Sequence, residues 1–180
     1  MPGVPVVGAV AFGMFLACIP AANWLIGHVG TVCVPNGPCL IPVAPGIMAP
    51  SGVLVIGAAL VLRDVVHRLL GPLWALAAIA AGAAVSLSIA PAALVVASGA
   101  AFLLSELADF AVYSPLQRKR LLLAVVASSA VGLVVDSVVF LHLAFGSLDY
   151  LAGQVIGKAW ALLLAYPAVL LLRRMAPAPT

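Results

Sequence analysis

The chain has 180 residues, of which 66% are hydrophobic and 7% charged, and its mean hydropathy is +1.30. A water-soluble domain carries about 25% charged residues, so this sequence cannot cover a wetted surface and reads as an integral membrane protein. Disorder, coiled coil and nucleic-acid binding are excluded, because eight Lys and Arg against five Asp and Glu make only the small basic excess that sets orientation in a bilayer.

About 20 apolar residues span a membrane, so the expected fold is all-α. It is one domain over residues 1–180, a compact bundle of six transmembrane helices. The first span, 6–26, is interrupted by Pro20; with no Lys or Arg before it, it is expected to stay in the mature protein. A loop rich in Pro and Gly follows over 27–45. It holds Cys33 and Cys39, a disulfide candidate on the outer side, where a bridge can persist; a bridge and a pair of free thiols both fit this spacing. The second span, 47–70, starts near Ile47 or Ser51 and stops at Gly71-Pro72, a helix stop and turn. The third, 73–89, is rich in Ala and Gly, which reads as close helix packing. The fourth, 92–113, ends before Ser114-Pro115, and the fifth and sixth cover 121–145 and 150–172.

Orientation follows from the cations. Arg63 and Arg68, then Arg118-Lys119-Arg120, then Arg173-Arg174 all fall on one side of a six-span bundle, and the other connections carry no Lys or Arg. Both termini are therefore expected in the cytoplasm.

The informative residues are polar groups inside the spans, since each is costly in lipid and marks a pathway or a site. At about 1.5 Å per helical residue, Arg63, Asp64, Glu106 and Asp109 fall in the cytoplasmic half. Asp136 falls in the outer half, Asn23 and Gln154 near the outer side, and Lys158 near the middle. Gln154 and Lys158 share a helix face, as do Glu106 and Asp109. Four carboxylates face two cations, Arg63 and Lys158, so protonation, water or a ligand donor must satisfy the surplus; Asp109 and Asp136 are the acids expected to exchange a proton. His67 and Arg68 read as a solvated helix end, and Trp74 and Trp160 as lipid-facing or packing residues. Asn23-Trp24 pairs an amide with an aromatic that could hold a flat heterocycle. No metal motif, Gly-rich phosphate loop or Gly-x-Ser-x-Gly elbow is present. No enzyme, metal or cofactor is therefore expected.

Several stretches, taken in order, resemble the queuosine precursor transporters, also called the vitamin uptake transporter (VUT) family. These are Asn23; Ala49-Pro-Ser-Gly52 through Leu62-Arg63-Asp64-Val-Val-His67 to Gly71; and Ala101-Phe-Leu-Leu-Ser-Glu106-Leu-Ala-Asp109-Phe110-Ala-Val-Tyr113 with its basic loop. Val135-Asp136-Ser137 and Gly153-Gln154-Val-Ile-Gly-Lys158 complete the set. Glu106 stands where Gln is common in the family. The resemblance implies a multi-pass carrier of the bacterial inner membrane that imports 7-deazaguanines such as preQ0 and preQ1 for tRNA modification. Its partners would be the lipid bilayer and a small nucleobase, and a homo-oligomer is left open. The substrate-binding candidates are Asn23, Trp24, Arg63, Asp64, Glu106, Asp109, Phe110, Tyr113, Asp136, Gln154 and Lys158. A carboxylate can accept two parallel hydrogen bonds from the N1–H and amine edge of such a base, Lys or an amide can meet its carbonyl, and an aromatic its face. The alternatives are a substrate-capture or accessory subunit and a membrane enzyme of unknown chemistry.

Overall fold

The computed structural model describes residues 3–116 and 121–175. Within the helices, the side chains of residues 3–5, 64, 68, 72, 110, 113, 114, 121, 122, 124–126 and 165–175 lie outside the description. The candidate side chains of Asp64, Phe110 and Tyr113 fall among these, as do those of Arg173 and Arg174, and the basic residues at 118–120 lie outside the described residues.

The described residues form six helices and a small sheet: α1 (Gly3–His28), β1 (Val32–Cys33), β2 (Cys39–Ala44), β3 (Ile47–Pro50), α2 (Val53–Leu70), α3 (Pro72–Ser86), α4 (Ala92–Leu116), α5 (Leu121–Phe145) and α6 (Leu151–Met175). Three stretches among the described residues, Val6–His28, Ala92–Asp109 and Ala127–Phe145, are long and apolar enough to cross a membrane. The surface agrees with a lipid environment: Leu73, Val96, Leu107, Leu163 and Leu164 are each more than 60% exposed. In water such a surface would drive association.

Several boundaries differ from the sequence reading: α3 ends at Ser86 and not at residue 89, and α4 continues past 113 through Pro115 to Leu116. α1 runs unbroken through Pro20. Residues 47–50, expected to open the second helix, are instead strand β3, and the preceding segment, expected as loop, supplies β1 and β2. The sheet is antiparallel in the order β1-β2-β3. Its central strand carries Pro42, which has no N–H to give the ladder, and the pairing slips between Pro42 and Ala44. Gly46, at φ 71°, makes the turn into β3. Cys33 and Cys39, paired across β1 and β2, are joined by a disulfide.

The sheet lies against the N-terminal part of α6. A side chain at Gly153 would collide with the carbonyl oxygen of Met48, and one at Gly157 would come within 2.8 Å of Val53. A side chain at Gly57 of α2 would collide with Ala161. These glycines let α6 settle onto β3 and α2, which fixes the neighbouring residues Gln154 and Lys158.

Helix α2 packs against α1, α3 and α6, and α1 packs against α3, while α4 and α5 form a closely paired hairpin. One apolar cluster joins Ala11, Phe15, Ala59, Val66 and Ala78 of α1 to α3. A second joins Leu94, Ala97, Ala101, Phe140 and Leu141 of the hairpin to Ile26 of α1. The seam between hairpin and four-helix group is where the polar residues meet.

Candidate functional site

A cavity lies along this seam and is lined by residues of all six helices. The lining follows helical spacing. Phe15, Ile19, Asn23 and Ile26 come from one face of α1, Ile56, Ala59 and Leu60 from α2, and Ser98 and Phe102 from α4. Asp136 and Phe140 come from α5, and Gln154 and Lys158 from α6.

Most of its polar groups are buried, and Ser98 is half-buried. Lys158 is 1% exposed, donates to Asp136 and also donates to Ser137 Oγ at 3.0 Å. Ser137 in turn donates to the Leu133 carbonyl at 2.8 Å. An ammonium buried this deeply is tolerable only because a carboxylate and a hydroxyl replace its water shell. Nearby, Ser98 Oγ donates to Asn23 Oδ1 at 3.0 Å. Asn23 and Gln154 are 2% and 3% exposed, yet Asn23 Nδ2 and Gln154 Oε1 have no hydrogen-bond partner. One unspent donor and one unspent acceptor therefore sit in the lining of the same cavity, and such orphans need an explanation.

A second ion pair closes the seam beside the cavity. Successive turns of α4 carry Ser98, Phe102 and Glu106 on one face, and Glu106 pairs with Arg63 of α2. The Arg63 guanidinium lies 5.8 Å from the Phe102 ring centre, and Phe102 tilts against Phe15 with centroids 6.4 Å apart. The two rings form a wall of the cavity with the ion pair beside it.

The structure thus brings together Asn23, Asp136, Gln154 and Lys158, and sets Arg63 and Glu106 apart as a pair outside the lining. Asp109 is half-buried on α4, facing Gly132 of α5, and is not in the lining. Trp24 points away: it is 44% exposed and stacks on His28 at 4.9 Å. Sequence reasoning missed Ser98, Phe15, Phe102 and Phe140 as lining residues. Ser98 had a signal, since it precedes Glu106 by two turns on one helix face; the phenylalanines had none.

Residues 88–172 match the model of the family described as "Putative vitamin uptake transporter". The match covers α4, α5 and most of α6, and so includes Ser98, Phe102, Glu106, Asp136, Gln154 and Lys158. It supports the transporter family and, with the three long apolar helices, points to a membrane protein. No curated protein and no solved structure matches the chain.

Proposed function

We propose that this chain is a secondary transporter of the bacterial inner membrane that imports 7-deazaguanines of the preQ0 and preQ1 type. In this reading all six helices cross the bilayer, both termini are cytoplasmic, and residues 1–180 act as one transmembrane domain. The single observation that carries it is the cavity with a buried donor and a buried acceptor left unpaired, within a chain whose α4–α6 region matches a transporter family.

The chemistry suits a flat, polar-edged base. Asn23 Nδ2 would donate to a ring carbonyl or nitrogen, and Gln154 Oε1 would accept from a ring N–H or exocyclic amine. Lys158 spends two of its three N–H groups on Asp136 and Ser137, which leaves one for a ligand carbonyl. Phe15, Phe102 and Phe140 supply apolar faces for the ring.

Alternating access would come from movement of the α4–α5 hairpin against the other four helices. Polar ties among the described residues cross that seam: Asn23 to Ser98, Lys158 to both Asp136 and Ser137, and Arg63 to Glu106. The Arg63–Glu106 pair with the Phe15–Phe102 wall would act as one closure. Breaking and remaking these ties is the event that ligand binding must bias.

The test is uptake of labelled preQ0 and preQ1 into liposomes that contain only this protein. Saturable accumulation above protein-free liposomes is the expected result. Uptake of neither ligand by correctly inserted protein would overturn the proposal.

A further inference from the structure

We infer that the cavity selects an uncharged deazaguanine over one that carries a cationic side group; the inference rests on the reading of the cavity given above. Its basis is the charge balance of the lining. The described lining residues include one acid, Asp136, and one base, Lys158, and these two are paired with each other. The remaining polar groups, Asn23, Ser98 and Gln154, are neutral. Glu106, just beyond the Phe102 wall, is engaged by Arg63.

A ligand ammonium entering this space would therefore find no uncommitted carboxylate among the described lining. It would have to take Asp136 from Lys158, and Lys158, at 1% exposure, would lose its counter-charge without water to replace it. An aminomethyl group is a primary alkylamine and is protonated at neutral pH, as a lysine is. A nitrile in the same position is neutral and asks for no counter-charge. The unspent groups on the cavity wall, an amide N–H of Asn23 and the amide oxygen of Gln154, are the partners of a neutral acceptor and a neutral donor. The site is built to read hydrogen-bonding edges within an electrically balanced pocket.

Specificity here is a difference between two affinities, and the unpaired charge supplies the repulsive side of that difference. The measurement is equilibrium binding of preQ0 and preQ1, separately, to the purified full chain in detergent at pH 7. The wild-type protein should bind preQ0 tighter by roughly tenfold or more, the scale on which an uncompensated buried charge is felt. Gln154→Glu adds an acid at the wall and should reverse the preference. Asn23→Asp adds the acid from α1 instead, and should also shift binding toward preQ1 should Gln154→Glu fail to fold. Equal or tighter binding of preQ1 by the wild type would overturn the inference while leaving the deazaguanine reading intact. Binding of neither ligand would overturn the deazaguanine reading itself, and this inference with it.

Discussion

Lys158 is the residue on which the interior depends most. It is buried with Asp136 as its counter-charge, and removing one partner of such a pair leaves the other charged in a place water cannot reach. Lys158→Met is therefore expected to lower stability by about 3–5 kcal/mol. The double variant Lys158→Met with Asp136→Leu removes both charges and should recover most of that loss, because a well-packed apolar pair is often as stable as a buried ion pair. Thermal unfolding in detergent reads both. The double variant should still fail to take up substrate, which separates the role in transport from the role in folding. A double variant no more stable than the single one would show that Asp136 is not the group left stranded.

At the scale of elements, the position of α6 decides where Gln154 and Lys158 lie, and glycine decides the position of α6. A methyl group at Gly153 meets a backbone carbonyl of β3, which cannot swing aside as a side chain can. Gly153→Ala should cost about 1–3 kcal/mol through overpacking. Gly13→Ala on α1, where an added methyl meets nothing within 4 Å, should be neutral or stabilising by up to about 1 kcal/mol. Melting temperatures of the two variants moving by the same amount would contradict this account of the α6 contact. The helices themselves were largely legible, because long apolar runs bounded by Gly71-Pro72 and similar breaks leave the backbone no cheaper way to satisfy its hydrogen bonds in lipid. The sheet was not legible: strands of two, six and four residues, with prolines at 42 and 50, lack the length for a period-2 signal. Of the site, Asn23, Asp136, Gln154 and Lys158 stood out as polar groups in apolar helices. Trp24 was drawn in by adjacency alone. Neighbours on a helix are turned by about 100°, so with Asn23 buried, Trp24 beside it falls on the outer face. Phe102 and Phe140 became site residues only through the packing of hairpin against bundle, which no local pattern encodes.

At the scale of the whole molecule, the proposed six-span topology makes a sharp statement about sidedness. The basic cluster at 118–120 should face the cytoplasm together with both termini. In a Cys18→Ala background, a cysteine introduced by Gln117→Cys should resist an impermeant thiol reagent added to intact cells and react once the membrane is opened. Labelling in intact cells would invert the topology.

The seam between the α4–α5 hairpin and the other helices is central, because the cavity and the interhelical polar ties among the described residues lie on it. If that cavity is the transport site, the two unspent amide groups must matter for uptake more than for folding. The most direct measurement compares labelled preQ0 uptake by liposomes holding the wild-type chain with uptake by liposomes holding the Asn23→Ala, Gln154→Ala double variant. The two proteins should be inserted in equal amount and show similar melting temperatures. Saturable wild-type uptake, reduced by roughly tenfold or more in the double variant, is the predicted result, since each lost hydrogen bond to a buried ligand is felt on the scale of about 1 kcal/mol. Uptake by the double variant equal to that of the wild type would contradict the assignment of the cavity as the site of transport.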